Sequence, residues 1–165
     1  MAGRVTSSEL SGHLREPAAG ELEPVFSPLA EERFRLGLET IYEGYAVHYG
    51  RPRLFEAQDG DAALMLGDYL YAQGLARIAA LGEVEAVSDL AELISLCAQA
   101  RGDGRPGDGA AWAATAALLG RGELAAAREA LSRRGDAGPL DELARAAAEG
   151  EAVDRALAAH TRHLG

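Results

Sequence analysis

The feature that most constrains this chain is its alanine: 35 residues, against 9 valines and isoleucines together. Alanine and the 23 leucines favour helix, and the β-branched residues that fill sheets are scarce, so the chain is expected to be all-α, a helical bundle. Its 165 residues suit one domain with a core of moderate size. The single Cys97 lies in an apolar helical stretch, which excludes a disulfide framework and a multi-cysteine metal cage. All 16 basic residues are arginine, and there is no lysine and no asparagine. Lysine Schiff-base chemistry and Asn-linked glycosylation are thereby excluded. A net charge of −10 disfavours nucleic acid as a partner, because such binding rests on clustered cations.

No run of about 18 uncharged apolar residues occurs, so no transmembrane segment is expected. Residues 1–24 carry Arg4, Glu9, Arg15, Glu16, Glu21 and Glu23 without an apolar stretch, which argues against a secretory signal and for a cytoplasmic location. Rich in Ser, Gly, Pro and Glu, residues 1–26 read as a disordered or loosely docked leader. Ser27 and Pro28, followed by Glu31 and Glu32, predict a helix start near Ser27. Phe34, Leu38, Ile41, Tyr45 and His48 then recur at steps of three and four up to about Tyr49, before Gly50 and Pro52. A second helix is predicted from Asp61, as candidate cap, to about Leu81. A third runs to about Ala100, with apolar residues round more than half its circumference, which predicts a central position in the bundle. These three helices make a core over 27–101. The glycine-rich stretch 102–109 reads as an exposed break. Beyond it, 110–165 reads as short alanine-rich helices that bury little area each and depend on docking against the first three.

Residues with reactive side chains give mostly exclusions. Asp59, Gly60 and Asp61 open like a calcium loop, but Ala63 and Leu70 stand where ligands are needed. Asp103 and Asp108 read as turn residues. Arg101-Gly102-Asp103 and Arg134-Gly135-Asp136 each spell an adhesion tripeptide, expected by chance in so arginine- and glycine-rich a chain. His160 and His163 lack a carboxylate or thiol at ligand spacing and read as frayed surface histidines. His48 shares a face with Phe34 and Tyr45 and reads as a half-buried histidine held by one hydrogen bond. No nucleophile elbow or phosphate-binding loop is present. No metal site or cofactor is expected.

Glycines and tyrosines are more informative. Gly37 and Gly44 are seven residues apart on one helix face, and Gly67 and Gly74 repeat the spacing on the next. Each mid-helix glycine costs about 1 kcal/mol relative to alanine, so close approach of the two backbones is expected in return. All five tyrosines, Tyr42, Tyr45, Tyr49, Tyr69 and Tyr71, fall on these two helices. They line either a groove for a partner or lipid, or the core and its rim.

The segment Leu66-Gly67-Asp68-Tyr69-Leu70-Tyr71-Ala72, with Gly74 to Ala79 after it, resembles the helix that follows the first aspartate-rich motif in all-α trans-polyprenyl diphosphate synthases. The likeness spans at most Leu36 to Ala100. It implies part of the isoprenoid synthase fold. Family members bind magnesium and an allylic diphosphate through paired aspartates and a lysine, and this chain has neither adjacent aspartates nor lysine. Without them the leaving diphosphate cannot be neutralised in the family's way. The resemblance therefore implies a non-catalytic protein, close in character to the small component of two-component, heptaprenyl-type synthases. Its partner would be a catalytic prenyl synthase subunit, or a second copy of itself. The other reading is a free-standing helical interaction or regulatory module. Tyr42, Tyr45, His48, Asp68 and Tyr71 are the candidate structural anchors or partner contacts, with Asp68 expected to accept hydrogen bonds from His48, Tyr45 or an arginine of a neighbouring helix.

Overall fold

A computed structural model describes residues 10–20 and 22–165. Among these residues the chain is all-helical, with a single isolated bridge between Leu14 and Phe55 and no strand. Ser27–Leu29 form one 3-10 turn, followed by α1 (Glu32–Tyr49), α2 (Gly60–Ala79) and α3 (Val84–Gly102). The remainder is α4 (Asp108–Ala117), α5 (Ala125–Arg134), α6 (Gly138–Ala147) and α7 (Gly150–Leu164).

Two starts differ from expectation. Ser27 caps nothing: it is buried in the 3-10 turn, where its N–H donates to Glu39 Oε1 at 3.2 Å, and α1 begins only at Glu32. Asp59 rather than Asp61 caps α2, accepting from the Ala62 N–H at 2.8 Å, because Gly60 already has helical backbone.

Helices α1 and α2 pair through their glycines. A Cβ on Gly44 would stand 2.9 Å from the Gly67 carbonyl oxygen, and one on Gly74 would stand 2.8 Å from that of Gly37. Gly37 thus meets Gly74 and Gly44 meets Gly67, which runs the helices antiparallel with backbones in contact.

The central helix is α4, not α3. Ala111, Trp112, Ala113, Ala114, Thr115, Ala116 and Ala117 are all buried, whereas Val84 of α3 is 81% exposed. Short alanine side chains let α3, α6 and α7 approach α4 from several sides, so low bulk marks the helix that is engulfed rather than one docked at the edge. Trp112 supplies the volume that the alanines lack, stacking on Phe26 and meeting Tyr42 edge-on.

Val25 and Phe26, within the expected leader, belong to the core at 2% and 1% exposure. The segment before them is tied to the α1–α2 connection: the Arg15 N–H donates to Leu54 O at 3.0 Å and the Glu56 N–H to His13 O at 2.7 Å. The first nine residues of that leader lie outside the described residues. Of the glycine-rich stretch 102–109, residues 102–106 are exposed, but Asp108 opens α4 and Gly109 is buried beside His160 and Leu157. No helix among the described residues is long and apolar enough to cross a membrane.

Candidate functional site

Three clusters of charged side chains lie within or against the core. The first forms where α1, α3, α4 and α7 meet. Asp108 Oδ2 accepts from Tyr45 Oη at 2.8 Å and from Arg101 Nη2 at 2.7 Å, and lies 3.1 Å from His160 Nε2. On its other edge His160 Nδ1 is 2.9 Å from Tyr42 Oη. The ring of His160 thus bridges the Tyr42 hydroxyl and the Asp108 carboxylate through its two nitrogens. Burial alone would push the Asp108 carboxyl up, but the bonds from His160, Tyr45 and Arg101 outweigh it and hold the group well below the usual carboxylate range. Its place in the first turn of α4 adds a favourable helix dipole. Burial pushes the Tyr42 and Tyr45 hydroxyls up, so both stay protonated donors.

In the second cluster, buried Arg53 donates to Glu43 Oε2 at 3.1 Å and pairs with Glu39 Oε2 at 2.7 Å. Glu43 also accepts the Leu54 N–H at 2.6 Å, and Glu39 accepts those of Val25 and Ser27 at 3.2 Å. These acids stitch the entry segment and the α1–α2 connection onto α1. In the third, Arg128 of α5 donates to Asp89 of α3 at 3.0 Å, while Asp89 accepts the Gly120 N–H at 2.8 Å. Each of these side chains has an internal partner, although Arg128 Nε is buried without one. Among the described residues, no group of three or more His, Cys, Asp or Glu is placed to hold a metal ion.

The residues singled out from sequence separate into two sets. Tyr42 and Tyr45 are core residues at 1% and 0% exposure, so the five tyrosines do not line a common groove. His48 Nε2 lies 3.1 Å from Asp68 Oδ1, over Gly67, and its ring is 5.0 Å from that of half-buried Tyr71. Asp68 thus meets the expected partner, but from the surface: its side chain is 68% exposed. The apolar residues around it in sequence belong to other faces of α2. His160 overturns the expectation of a frayed surface histidine, being 6% exposed in the core. Position near the chain end carried that expectation, yet Ala156 and Val153 on the same face of α7 are buried too. Asp108 overturns the reading as a turn residue, and Arg101 the reading as part of a chance tripeptide: the glycines and proline around them signal a turn, yet Asp108 opens α4 and accepts from Arg101.

Several open depressions mark the surface of the described residues, and two of them border the α1–α2 pair or its connection. A groove of about 430 Å³ runs along α1 and α2, where Leu36, Leu54, Phe55, Tyr69 and Leu70 lie above Glu39, Glu43 and Arg53. A cleft of about 830 Å³ lies between the entry segment, the α1–α2 connection and the end of α7. No family model, curated protein or solved structure matches this chain.

Proposed function

We propose that this is a non-catalytic helical protein that acts by binding a partner through the α1–α2 groove. The supporting observation is the exposure of Leu36 and Leu54, at 62% and 39%, along a groove whose ionisable floor is already paired internally. Apolar side chains of this size held open beside a satisfied polar base suit an inserted apolar side chain from a partner. The Leu66 to Ala72 segment, which resembles the prenyl synthase helix, supplies Tyr69 and Leu70 to the same groove. The partner we propose is accordingly a catalytic prenyl diphosphate synthase subunit.

The test compares the unaltered chain with Leu36→Arg as baits in the native lysate. Leu36 is exposed, so the substitution leaves the core intact. Capture of a prenyl synthase by the unaltered chain, lost with Leu36→Arg, supports the proposal. Capture that survives Leu36→Arg removes the groove, and a partner unrelated to isoprenoid synthesis that is lost with Leu36→Arg keeps the groove but removes the synthase.

A further inference from the structure

The cleft at the end of α7 gathers cations in a chain of net charge −10. Arg15, Arg51 and Arg162 line it from three separate segments, together with His163. Their convergence is built by the backbone. The Arg51 N–H donates to His163 O at 2.8 Å, and His163 Nδ1 stands 3.2 Å from Arg51 O. Gly50 makes this possible, since a Cβ there would strike the His163 carbonyl and Leu164. Arg15 is held in turn by donating from Nη1 to Pro52 O at 2.7 Å. Arg51 and Arg162 are exposed and make no side-chain ion pair or hydrogen bond among the described residues. By contrast Arg33, Arg53, Arg101, Arg128 and Arg145 are all paired with acids. Arg51 and Arg162, exposed in the same cleft and paired with no acid among the described residues, offer two guanidinium groups to an anion.

The remaining lining narrows the ligand. Glu23 and Glu56 stand in the same cleft, and acceptor-only carboxylates beside arginines suit a molecule that carries hydroxyl donors as well as negative charge. Phe55 and Pro52 add an apolar wall, and the volume lies in the range of small-molecule sites. We propose that this cleft binds a small hydroxyl-bearing organic phosphate, its phosphate between Arg51 and Arg162 and its hydroxyls toward the glutamates. The site is separate from the α1–α2 groove and does not depend on the partner proposed for it.

Titration calorimetry of the full chain with ribose 5-phosphate, inorganic phosphate and ribose tests the proposal. Ribose 5-phosphate should bind most tightly, inorganic phosphate more weakly, and ribose undetectably. Arg51→Gln and Arg162→Gln, both surface changes, should each weaken ribose 5-phosphate about tenfold, as expected for loss of a charge-assisted hydrogen bond. Glu56→Gln should weaken ribose 5-phosphate without weakening inorganic phosphate. Absence of binding at millimolar ribose 5-phosphate, or binding indifferent to both arginine changes, overturns the site. Equal affinity for inorganic phosphate and ribose 5-phosphate overturns the hydroxyl-bearing ligand.

Discussion

Two histidine–aspartate pairs in this protein have the same 3.1 Å separation and opposite surroundings. In the pair His48 and Asp68, which joins α1 to α2, the carboxylate side chain is 68% exposed. In the pair His160 and Asp108, which joins α7 to α4, it is 15% exposed, and the same oxygen also accepts from Tyr45 and Arg101. Distance is therefore a poor guide to what a histidine–aspartate contact contributes. Solvent competes for the first pair, whereas removing one member of the second leaves several oriented donors stranded in the protein.

The largest effect should come from breaking the buried pair. Asp108→Ala is expected to cost about 3 kcal/mol, because Arg101, His160 and Tyr45 all lose their common acceptor. Urea unfolding checks it. The same carboxylate should be visible in acid. Its folded-state pKa lies below the unfolded value, so its contribution is present above about pH 4 and is lost as pH falls toward the folded value. The fall in unfolding free energy below about pH 4 should be shallower in Asp108→Ala than in the unaltered chain. His163 has the same sense in a higher pH window. Burial pushes its pKa down, so the unfolded chain takes up the proton first and stability declines as pH drops below about 6.5. That separate slope should survive in Asp108→Ala.

A smaller effect distinguishes glycines that hold helices together from those that do not. A Cβ on Gly74 would meet Ile41 and the Gly37 carbonyl, whereas one on Gly102, at the exposed end of α3, meets nothing within 4 Å. Gly74→Ala should destabilise by about 1 to 2 kcal/mol, overpacking outweighing the gain in helix propensity. Gly102→Ala has only the propensity gain and should stabilise by up to about 1 kcal/mol. Paired melts of the two variants decide whether backbone contact is what the α1–α2 glycines provide.

The same contrast explains what could be read in advance. Alanine and leucine content announced an all-helical chain, and the seven-residue spacing of Gly37 with Gly44 and of Gly67 with Gly74 announced close backbone approach. Both are local signals, fixed by propensity and periodicity. The burial of α4 was not legible, because alanine looks the same in a peripheral helix as in one surrounded on every side. Nor was the Asp108 cluster, whose members Tyr42, Tyr45, Arg101, Asp108 and His160 come from four helices and share no spacing. The contact of His48 with Asp68 is legible because the two belong to adjacent periodic helices. The cleft arginines, Arg15, Arg51 and Arg162, converge only once α7 closes over Gly50.

The smallest expected effect lies at the exposed pair. Had Asp68 faced the interior of the α1–α2 contact, its removal would strand His48 and cost about 1 to 3 kcal/mol. Instead its carboxylate sits largely in water beyond Gly67, and His48 packs its ring against Tyr71 and over the Gly67 backbone whatever the carboxylate does. A pair of this kind contributes about 0 to 1 kcal/mol and is screened by salt. Asp68→Ala should therefore shift the urea midpoint by less than a third of the Asp108→Ala shift, and the residue of its effect should shrink further at high ionic strength. Equal shifts in the two variants would mean that the shared 3.1 Å distance, and not the surroundings, governs both pairs.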